Sequence, residues 1–495
     1  MNTINEFLFG LLSIAFVGVP FVLALLAGLL LPFALIATAT LTSKVSDSVK
    51  LTGVFSVLIL VQLAGVALSQ RVLFSEADLS TNPFLAVGNE GAPLSRLISQ
   101  IGSAFVMLIS GAVILNWLLG KIRFKGAAAV LCGLMLMFFL CSVVVSGIAG
   151  VFREPKLNDL YVPILLAAVA LLANGMNAKL WQWLRWPLLA LSACSLAAML
   201  IAPKLVLMPG FDSSLIPGFS QRLYGLTDHA NSLGIFAAVA LVLEFAPVVR
   251  SRPSWIVVAI QLLVLLLTQS KTAWIGAMVG IVFVRWFWMR QRFFSADKLQ
   301  LTFFMLTSVC ILMLTLALTV VFASDSPMVA KLLDKLGVFT LTGRAMIWQY
   351  TLNEFWASPL TGYGPSLWDM QFRIERGLMA VGQAHNQFVQ TLGQAGLIGF
   401  IALLAYFGWM FYVAMRYSAR DGSLALVLLF MLFIRCISES PMRMAGITGS
   451  DWIHFVAFAA VAGLAGRIVP KAAVFNPRTL YAGRAGAPGK PVGGA

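Results

Sequence analysis

Apolar runs long enough to cross the hydrocarbon of a bilayer, roughly 17 to 25 residues each, follow one another along almost the whole of this chain. They fall near 51 to 70, 101 to 120, 127 to 149, 161 to 175, 186 to 202 and 232 to 249, and then near 255 to 270, 273 to 289, 301 to 323, 389 to 415, 423 to 438 and 452 to 466. Residues 7 to 42 form one longer apolar stretch broken only by Pro20 and Pro32, and are expected to fold as a tight hairpin of two more helices. With no water to satisfy its peptide groups, a spanning segment must be a helix or part of a closed barrel, and runs of this length select the helix. With 60% hydrophobic and 11% charged residues, the chain lies far from the roughly 25% charged residues of soluble domains. The expected fold is an all-α integral membrane protein of 12 to 14 transmembrane helices.

Orientation follows from where Lys and Arg gather. Counting sides backward from a cytoplasmic C-terminal tail, the inside segments hold Lys44, Lys50, Lys121, Arg123, Lys125, Lys179, Arg185, Arg250, Arg252, Arg285 and their like, against only four acids, Glu6, Asp47, Asp297 and Asp421. The outside segments are close to charge-balanced. The net charge of +15 is therefore a topological excess beside an anionic inner leaflet, and it gives no support to nucleic-acid binding. Cys132, Cys141, Cys194, Cys310 and Cys436 all fall in apolar spans without metal-ligand spacing and read as packing residues. A cleavable signal peptide is not expected, because Met1 to Phe7 lack a basic start.

Three outside segments are long: 71 to 100, 203 to 231 and 324 to 388, the last large enough for a small helical cap. In it Ser326-Pro327 should open an interfacial helix with Val329, Leu332, Leu333 and Leu336 on one face. A second helix is expected from Arg344 to Trp356, stopped at Ser358-Pro359, followed by a turn at Gly362-Tyr363-Gly364-Pro365. His385-Asn386 stands just before the next span. The polar composition of this segment contrasts with everything around it. It contains Gly343-Arg344-(x)3-Trp348, Pro359-Leu360-x-Gly362-x-Gly364 and His385-Asn386, with Gly396-Leu397-Ile398-Gly399 shortly after.

Together with Arg222, the turn Thr268-Gln269-Ser270-Lys271, and Ile434-Arg435 with Glu439, these pieces resemble the signature of the O-antigen ligase and polymerase superfamily, which includes the Wzy-type polymerases. The resemblance covers roughly residues 220 to 465. It divides the chain into N-terminal transmembrane helices at 1–220, a ligase/polymerase-like region at 221–466 that includes the periplasmic loop 324–388, and a basic tail rich in Gly, Pro and Ala at 467–495. It implies an architecture similar to the GT-C class of membrane glycosyltransferases, in the bacterial inner membrane, with a site facing the periplasm. The implied reaction moves a glycan from undecaprenyl diphosphate to a sugar hydroxyl. The acceptor is a lipid-linked chain for a polymerase of exopolysaccharide or O-antigen repeat units, or lipid A core for an O-antigen ligase. Partners would be the donor, the acceptor, the bilayer, a flippase and a chain-length regulator, with no cofactor. One position departs from the pattern: Lys271 stands where the family usually has arginine, keeping charge but losing the bidentate fork.

The residues suit that chemistry on their own terms. A diphosphate needs no protonation to leave, but its charge must be bound as the bond breaks, and fixed guanidinium groups do this well in a poorly hydrated site. Arg222 and Arg344 are the first candidates, with Arg435 and Lys271 as helpers. His385 is the candidate base for the acceptor hydroxyl. At a helix N-terminus near arginines its ring is expected to stay uncharged. Asn386, Gly343 and Trp348 are supporting residues, and His229, which precedes Asn231 much as His385 precedes Asn386, is the alternative base. Glu439 is read as a neutraliser of Arg435 four residues before it, Glu244 as a structural partner on the cytoplasmic side, and Arg373 and Arg376 as a solvated face. A rival mechanism would hold a divalent metal on Glu76 and Asp78, and a rival class would be a transporter of the same lipid-linked glycans.

Overall fold

In the computed structural model the described residues are 30–75, 78, 92–120, 122, 126–151, 156–173, 176–211, 216, 219–293, 342–378, 381–444, 447 and 449–466. Among them the chain is helical almost throughout: α1 Leu30–Thr42, α2 Asp47–Ala67, α3 Pro93–Leu118, α4 Ala127–Ala149, α5 Tyr161–Ala173 and α6 Lys179–Ile201. A two-residue ribbon, β1 Leu207–Met208 paired antiparallel with β2 Arg222–Leu223, precedes α7 Ala230–Phe245, α8 Trp255–Thr268 and α9 Lys271–Phe293. Then come α10 Thr342–Ala357, α11 Met370–Glu375, α12 Gln387–Arg416, α13 Leu424–Ser438 and α14 Trp452–Gly466. Each span expected from the sequence has its helix except two calls outside the described residues, the span near 301 to 323 and the first arm of the hairpin at 7 to 29; the interfacial helix at Ser326 and the C-terminal tail also lie outside them.

Among the described residues five helices, α2, α3, α4, α6 and α12, are each long and apolar enough to cross a membrane. The perimeter suits a lipid surround. Leu200, Ile201, Ile101, Leu118 and Ile148 are exposed on their outer faces, an arrangement that in water would invite aggregation and in lipid carries no cost. By contrast α7, α13 and α14 are apolar all round and buried nearly residue for residue, as expected of helices enclosed by others. Helices from both sides of residue 220 share one core: α5 packs on α14, and α4 on α12.

The loops sort into two sets, which is how the bundle positions its site. At one end Leu73 N–H donates to Lys204 O, Arg71 to Thr227 O, Arg222 to Thr268 O, and Asn231 to Glu439. These are the segments the charge pattern placed outside. At the other end Glu244 pairs with Arg185 and Arg250, Asn177 N–H donates to Ser48 Oγ, and Trp409 donates to Ala127 O. These are the segments it placed inside, and Glu244 has the structural role expected of it.

A smaller core sits at the first end. Ile347 and Trp348 of α10, Leu367, Trp368, Phe372 of α11, Ala384 and Val389 bury against one another. Arg376 caps it, lying 3.7 Å over the Phe372 ring and paired with Glu354 and Glu375, so it is packed rather than merely solvated. This cap is keyed into a break in α12. Gly396 adopts φ 59° and ψ −159°, which a helix cannot accommodate. The interrupted backbone is completed by the loop after α10: Leu397 and Ile398 donate to Pro359 O and Leu360 O, while Tyr363 and Gly364 donate to Gly393 O and Gln394 O. A Cβ on Gly396 would stand 2.4 Å from Leu360 C, and one on Gly362 2.5 Å from Gln394 C. The Pro-Leu-x-Gly-x-Gly piece is thus a plug, and its glycines permit the contact. Across from the break, α4 carries a π-helical segment at Leu140–Val145, where Gln394 Nε2 donates to the freed Ser142 O at 3.0 Å.

Candidate active site

His385 sits one residue ahead of the N-cap of α12. Asn386 is that cap, its Oδ1 accepting from Phe388 N and Val389 N, while its Nδ2 reaches Ile437 O at 3.3 Å. The capping bonds start the helix, worth about 1 kcal/mol, and the third bond ties that start to the end of α13. The residue before His385 is clamped on both sides: Trp348 Nε1 donates to Ala384 O at 2.9 Å, and Ala384 N–H donates to Gln390 Oε1 at 2.8 Å. His385 is left in the left-handed region at φ 51°, where a histidine stays only if its surroundings hold it. Trp348 and Asn386 therefore act on the backbone that aims the imidazole. Gly343 lies in the first turn of α10, next to Arg344.

The aim is toward Glu439, the residue just past α13. His385 Nδ1 lies 2.9 Å from Glu439 Oε2. Asn231 Nδ2 donates to the other oxygen at 2.6 Å, Gln383 Nε2 also donates to the carboxylate, and Arg435 Nη1 stands 3.9 Å away. Burial alone would raise the Glu439 pKa, but His385, Arg435 and the His385 hydrogen bond outweigh it and hold the carboxyl well below the usual range. The sequence reading gave Glu439 only the neutralising of Arg435. In the structure it is the hub of the cluster, and the charge in contact with the His385 ring is this carboxylate rather than the helix dipole. An ionised carboxylate can only accept, so Nδ1 carries the proton and Nε2 offers its lone pair. The imidazole side chain is 26% exposed and Glu439 3%, so the ring can meet a substrate while the carboxylate behind it cannot.

His229 is built the opposite way. Its Nδ1 accepts from Asn231 N at 3.0 Å, so in the neutral ring the proton is on Nε2 and no lone pair remains for a substrate. Burial first, and Arg222 next, push its pKa down to about 3. Of the two histidines, only His385 has the tautomer of a base.

The cations differ in how occupied they are. Arg222 Nε donates to Thr268 O at 2.9 Å and Nη2 to Asn231 Oδ1 at 2.6 Å, and the guanidinium lies 4.7 Å from the Phe211 ring centroid. It braces the Thr268–Lys271 turn against the loop bearing His229, with Gln269 Nε2 adding a bond to Gln221 O. Arg344, half-buried, makes no hydrogen bond or ion pair among the described residues; burial lowers its pKa, with Glu439 opposing the shift. Arg435 is 2% exposed inside the bundle, and its Nε and Nη1 have no hydrogen-bond partner among the described residues. Lys271 opens α9 at the far side of the turn that Arg222 braces. Two guanidinium groups beside a buried carboxylate, one of them with donors that have no partner among the described residues, make a setting for an anion.

Other candidates fall elsewhere. His454 is a satisfied core residue, its Nε2 2.8 Å from Tyr406 Oη. Glu76 lies outside the described residues, and the Asp78 carboxylate accepts from Ser75 N and Oγ. The glutamines that lace 383–390 to 439–442 had no distinctive signature: Gln383 Oε1 accepts from Ser440 N and Gln387 Oε1 from Met442 N. Arg71, whose guanidinium donates to Leu205 O, Thr227 O and Gly225 O, was likewise unmarked by any motif.

Residues 256–404 match the family model described as O-antigen ligase, a segment that takes in Lys271, Arg344, Trp348, His385 and the broken helix, while Arg222, His229, Arg435 and Glu439 lie outside it. No curated protein matches the chain. The family match thus covers the 256–404 segment of this all-α chain, and it supports membership of the O-antigen ligase and polymerase superfamily.

Proposed function

We propose that the protein is a membrane glycosyltransferase that polymerises exopolysaccharide or O-antigen repeat units at the periplasmic face of the inner membrane, taking the glycan from undecaprenyl diphosphate. The observation that carries this reading is the convergence on Glu439 of His385, which it orients, of Arg344, and of Arg435, whose Nε and Nη1 have no hydrogen-bond partner among the described residues. His385 Nε2 takes the proton of the acceptor hydroxyl as its oxygen attacks the anomeric carbon. The bond from that carbon to the phosphate oxygen breaks, and its electron pair leaves with the diphosphate. Arg344 binds the charge that develops there, the buried Arg435 adds positive potential from behind the cluster, and Arg222 and Lys271 add more from the braced turn. Glu439 stabilises the imidazolium as it forms, and the proton then passes to solvent or to the departing diphosphate. In this reading 221–466 carries the chemistry, the described cap from 342 to 388 lies at the same end as the cluster, and the first helices complete the bundle.

The description of the matched family favours a second acceptor, lipid A core, for the same chemistry. Purified protein in bilayers, supplied with undecaprenyl-diphosphate-linked repeat units alone, tests the choice. A ladder of longer lipid-linked glycans supports polymerisation, and product formed only after lipid A core is added supports ligation. Movement of intact lipid-linked glycan across the bilayer with no new glycosidic bond would overturn both and favour a transporter.

A further inference from the structure

Asn231, in the first turn of α7, links the two halves of the cluster through its side-chain amide. Its Oδ1 accepts from Arg222 Nη2 at 2.6 Å, and its Nδ2 donates to Glu439 Oε1, also at 2.6 Å. A guanidinium can only donate and an ionised carboxylate can only accept, so both neighbours demand the same orientation of the amide. A flipped amide would set N–H against N–H on one side and oxygen against oxygen on the other. The side chain is available for this link because another residue caps the helix. His229 Nδ1 accepts from Asn231 N at 3.0 Å and is the N-cap of α7. Before α12 the roles are exchanged: Asn386 uses its oxygen as the cap, and His385 points into the cluster.

On the Glu439 carboxylate each oxygen has an amide donor of its own. Asn231 holds Oε1, and Gln383 Nε2 holds Oε2 beside His385 Nδ1 at 2.9 Å. Two held oxygens fix the plane of the carboxylate, and with it the direction in which it draws the Nδ1 proton. Asn231 also stands between opposite charges. Its neutral amide separates Arg222 from Glu439, so the carboxylate remains the partner of the imidazole. The other charged or titratable groups around Glu439 are Arg435 of α13, His229 before α7 and Arg344 of α10.

We propose that Asn231 is a positioning residue for the base: its amide, oriented by Arg222, holds Glu439 in the plane that keeps the proton of His385 on Nδ1, and so ties the base to the arginine-braced turn. This rests on the glycosyl-transfer reading for the word base, but the link from Asn231 to His385 can be measured without turnover. The chain has three histidines, so nitrogen NMR of the full-length, histidine-labelled protein in lipid bilayers resolves the His385 ring, assigned by its loss in His385→Gln. In wild type the neutral ring should carry its proton on Nδ1. Asn231→Asp keeps the shape but sets a second carboxylate oxygen against Glu439 Oε1. One more proton is then bound, and the imidazole takes it, being more basic than a carboxylate dyad that gives up its shared proton at about pH 5. The His385 midpoint should therefore rise by about one pH unit or more. Asn231→Ala should lower single-turnover transfer per folded molecule about tenfold, the worth of a hydrogen bond to a charged group, but less than about twofold where Glu439→Gln is already present. A merely structural role would lower the rate by one factor in both backgrounds and leave the His385 midpoint in place. The proposal is overturned if the midpoint in folded Asn231→Asp matches wild type, or if Asn231→Ala costs the same factor in both backgrounds; should Asn231→Asp fail to fold, the second comparison decides alone. If the midpoint moves as stated but the wild-type protein forms no glycosidic bond, the functional reading fails and the hold of Asn231 on Glu439 and His385 stands.

Discussion

Replacing Glu439 by Gln removes one charge from the centre of the cluster while keeping its size and one acceptor oxygen. In the native protein the carboxylate takes the Nδ1 proton of His385 at 2.9 Å and bonds from Asn231 and Gln383. An amide can still receive one of these bonds. Its NH2 turned toward His385 would pair with an unprotonated Nδ1, which forces the proton onto Nε2 and removes the base. A wrong tautomer behind an intact geometry costs about 10^4 in turnover in the hydrolase triad from which this logic is best known, equivalent to about 5.4 kcal/mol of transition-state stabilisation. A loss of about 10^3 to 10^4 is expected here. The buried Arg435 also loses its neighbour at 3.9 Å, and an uncompensated buried charge costs roughly 3–5 kcal/mol. The variant should therefore melt earlier as well as turn over slowly, and transfer must be measured per folded molecule after a size-exclusion and thermal-melt check. Folded Glu439→Gln with wild-type turnover would refute the argument that this carboxylate sets the tautomer of His385.

Arg344→Lys and Arg222→Lys should each retain little activity, but for different reasons: an ammonium cannot make the planar paired contact with a diphosphate, and it cannot span Thr268 O and Asn231 Oδ1 together. Lys271→Arg should be tolerated, and normal turnover in both lysine variants would reduce the arginines to diffuse charge. Transfer should persist in excess EDTA, and in the Glu76→Ala, Asp78→Ala double variant, because arginines bind the leaving group in this scheme; loss in EDTA restored by magnesium, matched by loss in the double variant, would replace it with a metal mechanism. His229, whose pKa is held at about 3, binds its proton more readily once unfolded. Its contribution is thus fully present above its ordinary value of about 6.5 and is lost as pH falls from there toward the folded value, by up to ~1.4 kcal/mol per pH unit. Melting temperatures should decline on acidification over that window, and less steeply in His229→Gln; equal slopes would contradict the buried neutral ring.

What the sequence made legible follows from local physics. Span positions, the α10 helix and the start of α12 are each set by a run of apolar residues or a cap, and among the described residues most lie within a few residues of the expected place, while α3 and α6 start at Pro93 and Lys179, well ahead of the expected 101 and 186. The sorting of loops by Lys and Arg agrees with their contacts, since Arg222 meets Thr268 and Glu244 meets Arg185 on opposite ends. Contacts between distant segments were not legible. Glu439 is 54 positions from His385, and its nearer neighbour Arg435, one helical turn away, offered a sufficient local reason for its presence. The π-helical turn at Leu140–Val145 leaves no mark in an unbroken apolar run, and its partner Gln394 becomes meaningful only when Gly396 opens α12 beside it. Arg71 read as one more loop cation, and only the fold shows its three bonds to backbone carbonyls.

The central claim is that Nε2 of His385, set by Glu439, accepts the proton of the acceptor hydroxyl. The most direct measurement is the single-turnover rate of glycan transfer from a lipid-linked donor by purified His385→Ala protein, compared with wild type at equal folded concentration in the same bilayers. The account predicts a fall of about 10^2 to 10^4, the usual contribution of a positioned general base, with donor binding retained because Arg344 and Arg435 are untouched. A His385→Ala protein that binds donor and transfers glycan at the wild-type rate would contradict it.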